Sequence, residues 1–297
     1  MEQAPANLQA APGASRWSQR ATMAAIVVVG LFVLHALIEP ALLPGDVDRP
    51  LTVLVGAGGV LAALAVLAAS VLIALLGEAS CGRRRPATGL MLTGLTLALW
   101  AALGGNMDQW LIRANPRPGP GTAAAYYPLL AEYVYWTLAL AGCLAACLWW
   151  QRRLASQAPP PTEDAERPVA LRDGLAALLL QVAVAATLMF ILTGPRFGHT
   201  YRGQVYFAVA VAFIVGTVAG HRFLGVDRLT WYLPGPILVG LAGVGLAIAR
   251  PALPGVYASI NVIPAWGLVR PLPIEMVAVG SAAIVLTLRP ASLLSWK

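Results

Sequence analysis

His35 and Glu39 stand four residues apart, the spacing at which two side chains share one face of a helix. A histidine beside a carboxylate can hold a proton, orient toward a hydroxyl or share an ion. Further along lie Asn106, Asp108, Arg113 and Arg117, then Glu132 and Tyr133, and in the second half Arg202, Tyr206, Arg270 and Glu275. These residues flank or begin apolar stretches, so they gather at one face of whatever those stretches build. Tyr and Trp nearby also fit the ordinary aromatic belt of a membrane interface. The alternative is a pocket with His35, Glu39, Glu132 and Glu275 at its floor and Arg113, Arg117 or Arg270 as partners for the carboxylates. Tyr133 would add a hydroxyl.

Stronger chemical signatures do not emerge from the spacing. Three His occur, without HExxH, so His35, Glu39 and His199 make a poor metal set. Cys143 and Cys147 share a helix face but read as small buried apolar groups. Without CxxCH there is no covalent haem, and without GxSxG, a P-loop or GxGxxG there is no serine-esterase or nucleotide motif. The single Lys, Lys297, is terminal, so no span offers a Schiff-base amine for retinal.

The elements that must position these residues are set by hydropathy. The chain of 297 residues is 59% hydrophobic and 11% charged, against about 25% charged in a soluble domain. From Leu51 to Gly77 it runs 27 residues without a charge, whereas about 20 apolar residues span hydrocarbon as a helix. A β-barrel would show alternation in segments of about 10 residues. The fold class is therefore an all-α integral membrane protein with about eight transmembrane helices. The expected spans are 21–38, 51–77, 86–105, 128–150, 174–194, 203–220, 231–249 and 271–288. The first follows a polar stretch with no clear cleavage site, so it reads as retained.

Of the 20 Lys and Arg, thirteen fall beside one set of span ends and seven beside the other. The positive-inside rule puts the richer face, with both termini, in the cytoplasm. The reading is a multi-pass protein of a bacterial-type inner membrane, and the scattered arginines argue against nucleic acid. The chain divides into a tail 1–20, a four-span half 21–150, a Pro-rich acidic linker 151–168, a second four-span half 169–290 and a tail 291–297. Four spans per half give the halves parallel orientation. The small residues Ala208, Ala212, Gly216 and Gly220 suggest that the sixth span packs tightly at the centre.

Gln181 is the one strongly polar side chain expected in mid-span, and no charged residue is expected there, which disfavours a proton-coupled pump. The functional expectation is a subunit or anchor of a larger membrane complex, with no catalytic activity of its own. Its partners would be lipids and other membrane subunits, and a quinone or lipid would bind near the outer face. A permease for a small or lipid-like solute, or an intramembrane enzyme on a lipid-linked substrate, is the competing reading.

Overall fold

The computed structural model describes residues 16–42, 51–54, 59–81, 87–114, 123–155, 169–193, 201–251 and 266–293. Among them the chain is helical, with no β-strand. Its elements are α1 (Arg16–Phe32), a π-helical turn (Val33–Ile38), α2 (Glu39–Leu42), α3 (Gly59–Cys81), α4 (Thr88–Leu103) and α5 (Met107–Ala114). Then come α6 (Tyr127–Ala155), α7 (Leu171–Leu192), α8 (Arg202–Leu224), α9 (Leu229–Tyr232), α10 (Gly235–Ala249) and α11 (Pro273–Leu293). In lipid every backbone polar group must be satisfied within the segment, and helices do this.

Six helical stretches are long and apolar enough to cross a membrane: Trp17–Leu42, Gly59–Ser80, Ala123–Leu154, Leu171–Leu192, Arg202–Leu224 and Leu229–Ala249. The other two expected spans are shorter apolar helices, Thr88–Leu103 and Pro273–Leu288. The shortness has a packing context. Helix α11 is buried nearly all round from Pro273 to Val285, and α4 is mostly buried against α11 and α3. A helix enclosed by other helices is not bound to match the hydrocarbon thickness that lipid-facing helices meet.

The expected boundaries shift in places. The uncharged run from Leu51 is not one helix: Leu51–Leu54 are non-helical and α3 begins at Gly59. The loop expected from Asn106 to Tyr127 contains the amphipathic α5, with Asp108, Trp110 and Leu111 buried and Ile112 and Arg113 exposed. The seventh span breaks at Leu233–Pro234, as its two prolines foreshadow. The linker 156–168 lies outside the described residues.

Small residues let these helices close on one another. Ala208, Ala212, Gly216 and Gly220 are all buried on α8, and a Cβ at Gly216 would sit 2.9 Å from the Gln181 carbonyl oxygen on α7. The tightest of these contacts is on α4. A Cβ at Gly89 would lie 2.0 Å from the Ala74 carbonyl oxygen of α3. One at Gly94 would lie 2.8 Å from the Ala278 carbonyl oxygen of α11. The most enclosed helices are therefore α4 and α11, rather than the sixth span that its small-residue stripe suggests.

Candidate functional site

Two ends of the bundle carry polar chemistry. At one end the π-turn with α2, together with α4, α6, α8 and α11, carries residues read from the sequence, in three groups.

The first is built on a backbone irregularity. Pro40 has no N–H to give, and its ring crowds the carbonyl four residues back. The helix widens just before it: the Glu39 N–H donates to the Leu34 carbonyl, five residues back, across the π-turn. His35 Nδ1 and Glu39 Oε2 are 2.7 Å apart, and Trp100 Nε1 on α4 donates to the same oxygen at 2.7 Å. With Nδ1–H donating to the carboxylate, Nε2 is left as an acceptor. The His35 side chain is 52% exposed and Glu39 14%. Glu39 is thus a fixed support, and His35 is the group that can meet a ligand. A groove of about 280 Å³ runs along the α3 side of α1, lined by Ile26, Val29, Gly30, Val33, Leu72 and Ile73. It is a separate feature, since Glu39 turns toward α4.

The second group is Glu132 on α6. It is buried, and its Oε1 accepts from the Leu54 N–H at 2.6 Å. A carboxylate there ties down the non-helical strip that leads toward α3. Tyr133 is buried against Gly240 of α10, where a Cβ would lie 2.1 Å from its hydroxyl.

The third group surrounds the start of α11. Glu275 reaches back to the Leu272 N–H at 2.8 Å, the reciprocal half of a capping box, with Pro273 in the first helical position. Its other oxygen lies 3.6 Å from Arg202 Nε. Arg202 also donates to the Ala102 and Gly104 carbonyl oxygens at the end of α4, where a helix leaves acceptors unsatisfied and carries partial negative charge. Tyr206 donates to the Ala98 carbonyl at 2.8 Å, and both Tyr133 and Tyr206 are in electrostatic reach of Glu275. Arg202 therefore pins α8, α4 and α11 together.

Arg270, three residues before α11, is 2% exposed. Burial pushes its guanidinium below the ordinary value, while the Asp108 carboxylate acts in the opposite direction. Arg113 is an exposed residue of α5, and Arg117 and His199 lie outside the described residues. The expected partner for a span-end carboxylate was Arg113, Arg117 or Arg270; for Glu275 it is Arg202, because α8 begins beside both α4 and α11. Trp100 was not singled out in the sequence, where a tryptophan near a span end is indistinguishable from a belt residue.

At the opposite end sits a carboxylate that the span boundary at Gly77 concealed. Glu78 is fully buried on α3. Its Oε1 accepts from the Ala87 N–H at 3.2 Å and from Gln151 Nε2 at 2.7 Å, and its Oε2 accepts from the Gly89 N–H at 3.0 Å. It caps the N-terminus of α4 from a neighbouring helix, where a negative charge is favoured. Replacing Glu78 with Ala leaves these donors without their acceptor in a buried setting. The expected loss is about 2–4 kcal/mol, from roughly 1–3 kcal/mol per stranded donor with partial relaxation. Reversible unfolding in mixed micelles measures it. Nearby, His221 and Asp227 pair at 2.6 Å across the αL turn at Gly225, with Asp227 exposed.

In mid-bundle Gln181 is fully buried and donates to Thr217 Oγ1 at 2.9 Å. Among the described residues no cluster of three or more His, Cys, Asp or Glu is placed to hold a metal, and Cys143 and Cys147 are buried free thiols. No protein-family model, curated protein or solved structure matches the chain.

Proposed function

We propose that this chain is a multi-pass subunit of a larger membrane complex that binds the polar head of a quinone or comparable lipid at the extracytoplasmic face. In this reading the two shorter apolar helices also cross the bilayer, giving eight spans in two halves with both termini inside. The membrane is a bacterial-type inner membrane. The observation that carries the reading is the His35–Glu39–Trp100 chain of hydrogen bonds on a π-helical turn. A half-exposed imidazole held by a carboxylate presents one ring nitrogen to the lipid boundary. That nitrogen can accept a hydrogen bond from a hydroxyl or take up its proton. π-Turns interrupting α-helices recur at functional sites.

The packing favours a binding subunit over a carrier. The cavity lined by Ser70, Trp136 and Ser281, between α3, α4, α6 and α11, is only about 20 Å³, room for about one water. Helix α11 packs closely against α4 there, the Gly94 backbone facing the Ala278 carbonyl.

Binding of a tritiated quinol analogue to full-length protein in lipid nanodiscs tests the proposal. His35→Ala is expected to weaken binding about 10-fold, the equivalent of roughly 1.4 kcal/mol for a lost hydrogen bond to an oriented group. Trp100→Phe leaves the imidazole in place but frees Glu39, and is expected to weaken binding less. Unchanged affinity in His35→Ala, or no saturable binding by the wild type, overturns the reading.

A further inference from the structure

The guanidinium of Arg270 is almost wholly buried, yet neither Nε nor Nη2 has a hydrogen-bond partner among the described residues. These two atoms are not arbitrary. Nε–H and Nη2–H lie parallel on one edge of the guanidinium plane, the edge that meets two oxygens of a carboxylate or phosphate side by side. A buried, charged, two-pronged donor left empty is costly, because water has been stripped from it and nothing replaces the lost contacts. A methionine or leucine of similar reach would fill the same space without that cost.

We infer that the Nε/Nη2 edge of Arg270 is a binding site for one singly charged oxyanion, a carboxylate or a phosphodiester. Three features set this class. The edge matches two coplanar acceptor oxygens. Asp108 already lies in electrostatic reach of Arg270 and offsets part of its charge, so a dianion would be repelled. Arg202 is committed to Glu275 and to the carbonyl oxygens of α4, and Arg113 is exposed on α5, whereas the Arg270 edge is buried and without a hydrogen-bond partner among the described residues. The site sits on the segment from Gly267 to Leu272, wedged against α7 and α10 and leading into α11. It shares no residue with the His35 group and stands or falls without it.

The anion can arrive as the head of an amphiphile or free in solution, and the probes separate these. Full-length protein, stripped of lipid in neutral detergent, is offered phosphatidylglycerol, oleate, or dimethyl phosphate and acetate. Binding is read by native mass spectrometry and by the shift in thermal unfolding. The wild type is expected to retain one phosphatidylglycerol or oleate, or to be stabilised by the soluble anions. Binding of only the amphiphiles assigns the source to the membrane, and binding of both kinds assigns it to the anion alone.

Arg270→Lys keeps the charge but loses the paired N–H edge, and is expected to bind at least 10-fold more weakly. Arg270→Gln should abolish binding. Arg222→Gln, on an exposed residue at the far end of α8, should change nothing. If Arg270→Gln fails to fold, Arg270→Lys still decides the matter. Wild-type protein that binds none of the probes overturns the inference. So does Arg270→Lys binding as the wild type does.

Discussion

Gly89→Ala is expected to prevent the bundle from assembling. The added methyl would lie 2.0 Å from the Ala74 carbonyl oxygen, 2.8 Å from its carbon and 3.0 Å from Cys147 Sγ. The first two are backbone atoms of α3, so no rotamer change relieves them. Helices α3 and α4 must move apart by more than 1 Å. Overpacking of a core that can adjust costs about 1–3 kcal/mol, and this contact adjusts poorly. The separation would also pull the Gly89 N–H and its neighbour away from Glu78. The combined loss should exceed about 4 kcal/mol, in the range where one substitution is decisive. Fluorescence-detected size-exclusion chromatography should show loss of the monodisperse peak. Gly245→Ala is the control, since nothing lies within 4 Å of a Cβ there and helix propensity favours alanine. A monodisperse Gly89→Ala protein with unchanged melting would show that the α3–α4 crossing is looser than described.

Arg202→Met is expected to destabilise the opposite end by about 3–5 kcal/mol, the cost of breaking one side of a buried charged contact. Two losses combine. The carbonyl oxygens of Ala102 and Gly104 lose their donor, and the Glu275 carboxyl, 2% exposed, loses the guanidinium that faces it. They can be separated. Glu275→Gln removes the charge and retains an oxygen able to accept from Leu272. If the stranded carboxyl dominates, the double variant Arg202→Met/Glu275→Gln recovers roughly half of the loss. If the end of α4 dominates, it recovers little. Melting temperatures of the three variants in one detergent give the coupling. Arg202→Met melting within a degree of wild type would remove this contact as a fastening of α8, α4 and α11.

The sequence made the helices legible because lipid imposes a crude, strong rule on long uncharged stretches. It left the centre of the bundle hidden. In a membrane the residues facing protein and those facing lipid are equally apolar, so nothing in hydropathy marks α4 and α11 as enclosed. Glu275 interrupts the apolar run of the last expected span, although its carboxylate is what starts that helix cleanly. His35 with Glu39 could be read from spacing. Their fixation by Trp100 could not, since Trp100 lies 61 residues from Glu39. The choice of Arg202 over other arginines was a matter of which helix begins beside which. Glu78, an acid followed closely by Arg83, Arg84 and Arg85, resembles the start of a loop, and only the fold brings it from α3 onto the N-terminus of α4.

The brevity of α4 bears on how the protein meets salt. Sixteen residues make a rod of about 24 Å, shorter than a hydrocarbon core of about 30 Å, and the carbonyls at its end meet Arg202, which in turn faces the buried Glu275. Glu275 is 2% exposed, so mobile ions screen its side of the contact poorly, and a field in so weakly polarisable a setting falls off slowly. Raising ionic strength should therefore leave the Arg202–Glu275 contact intact while loosening the exposed His221–Asp227 pair at the other end.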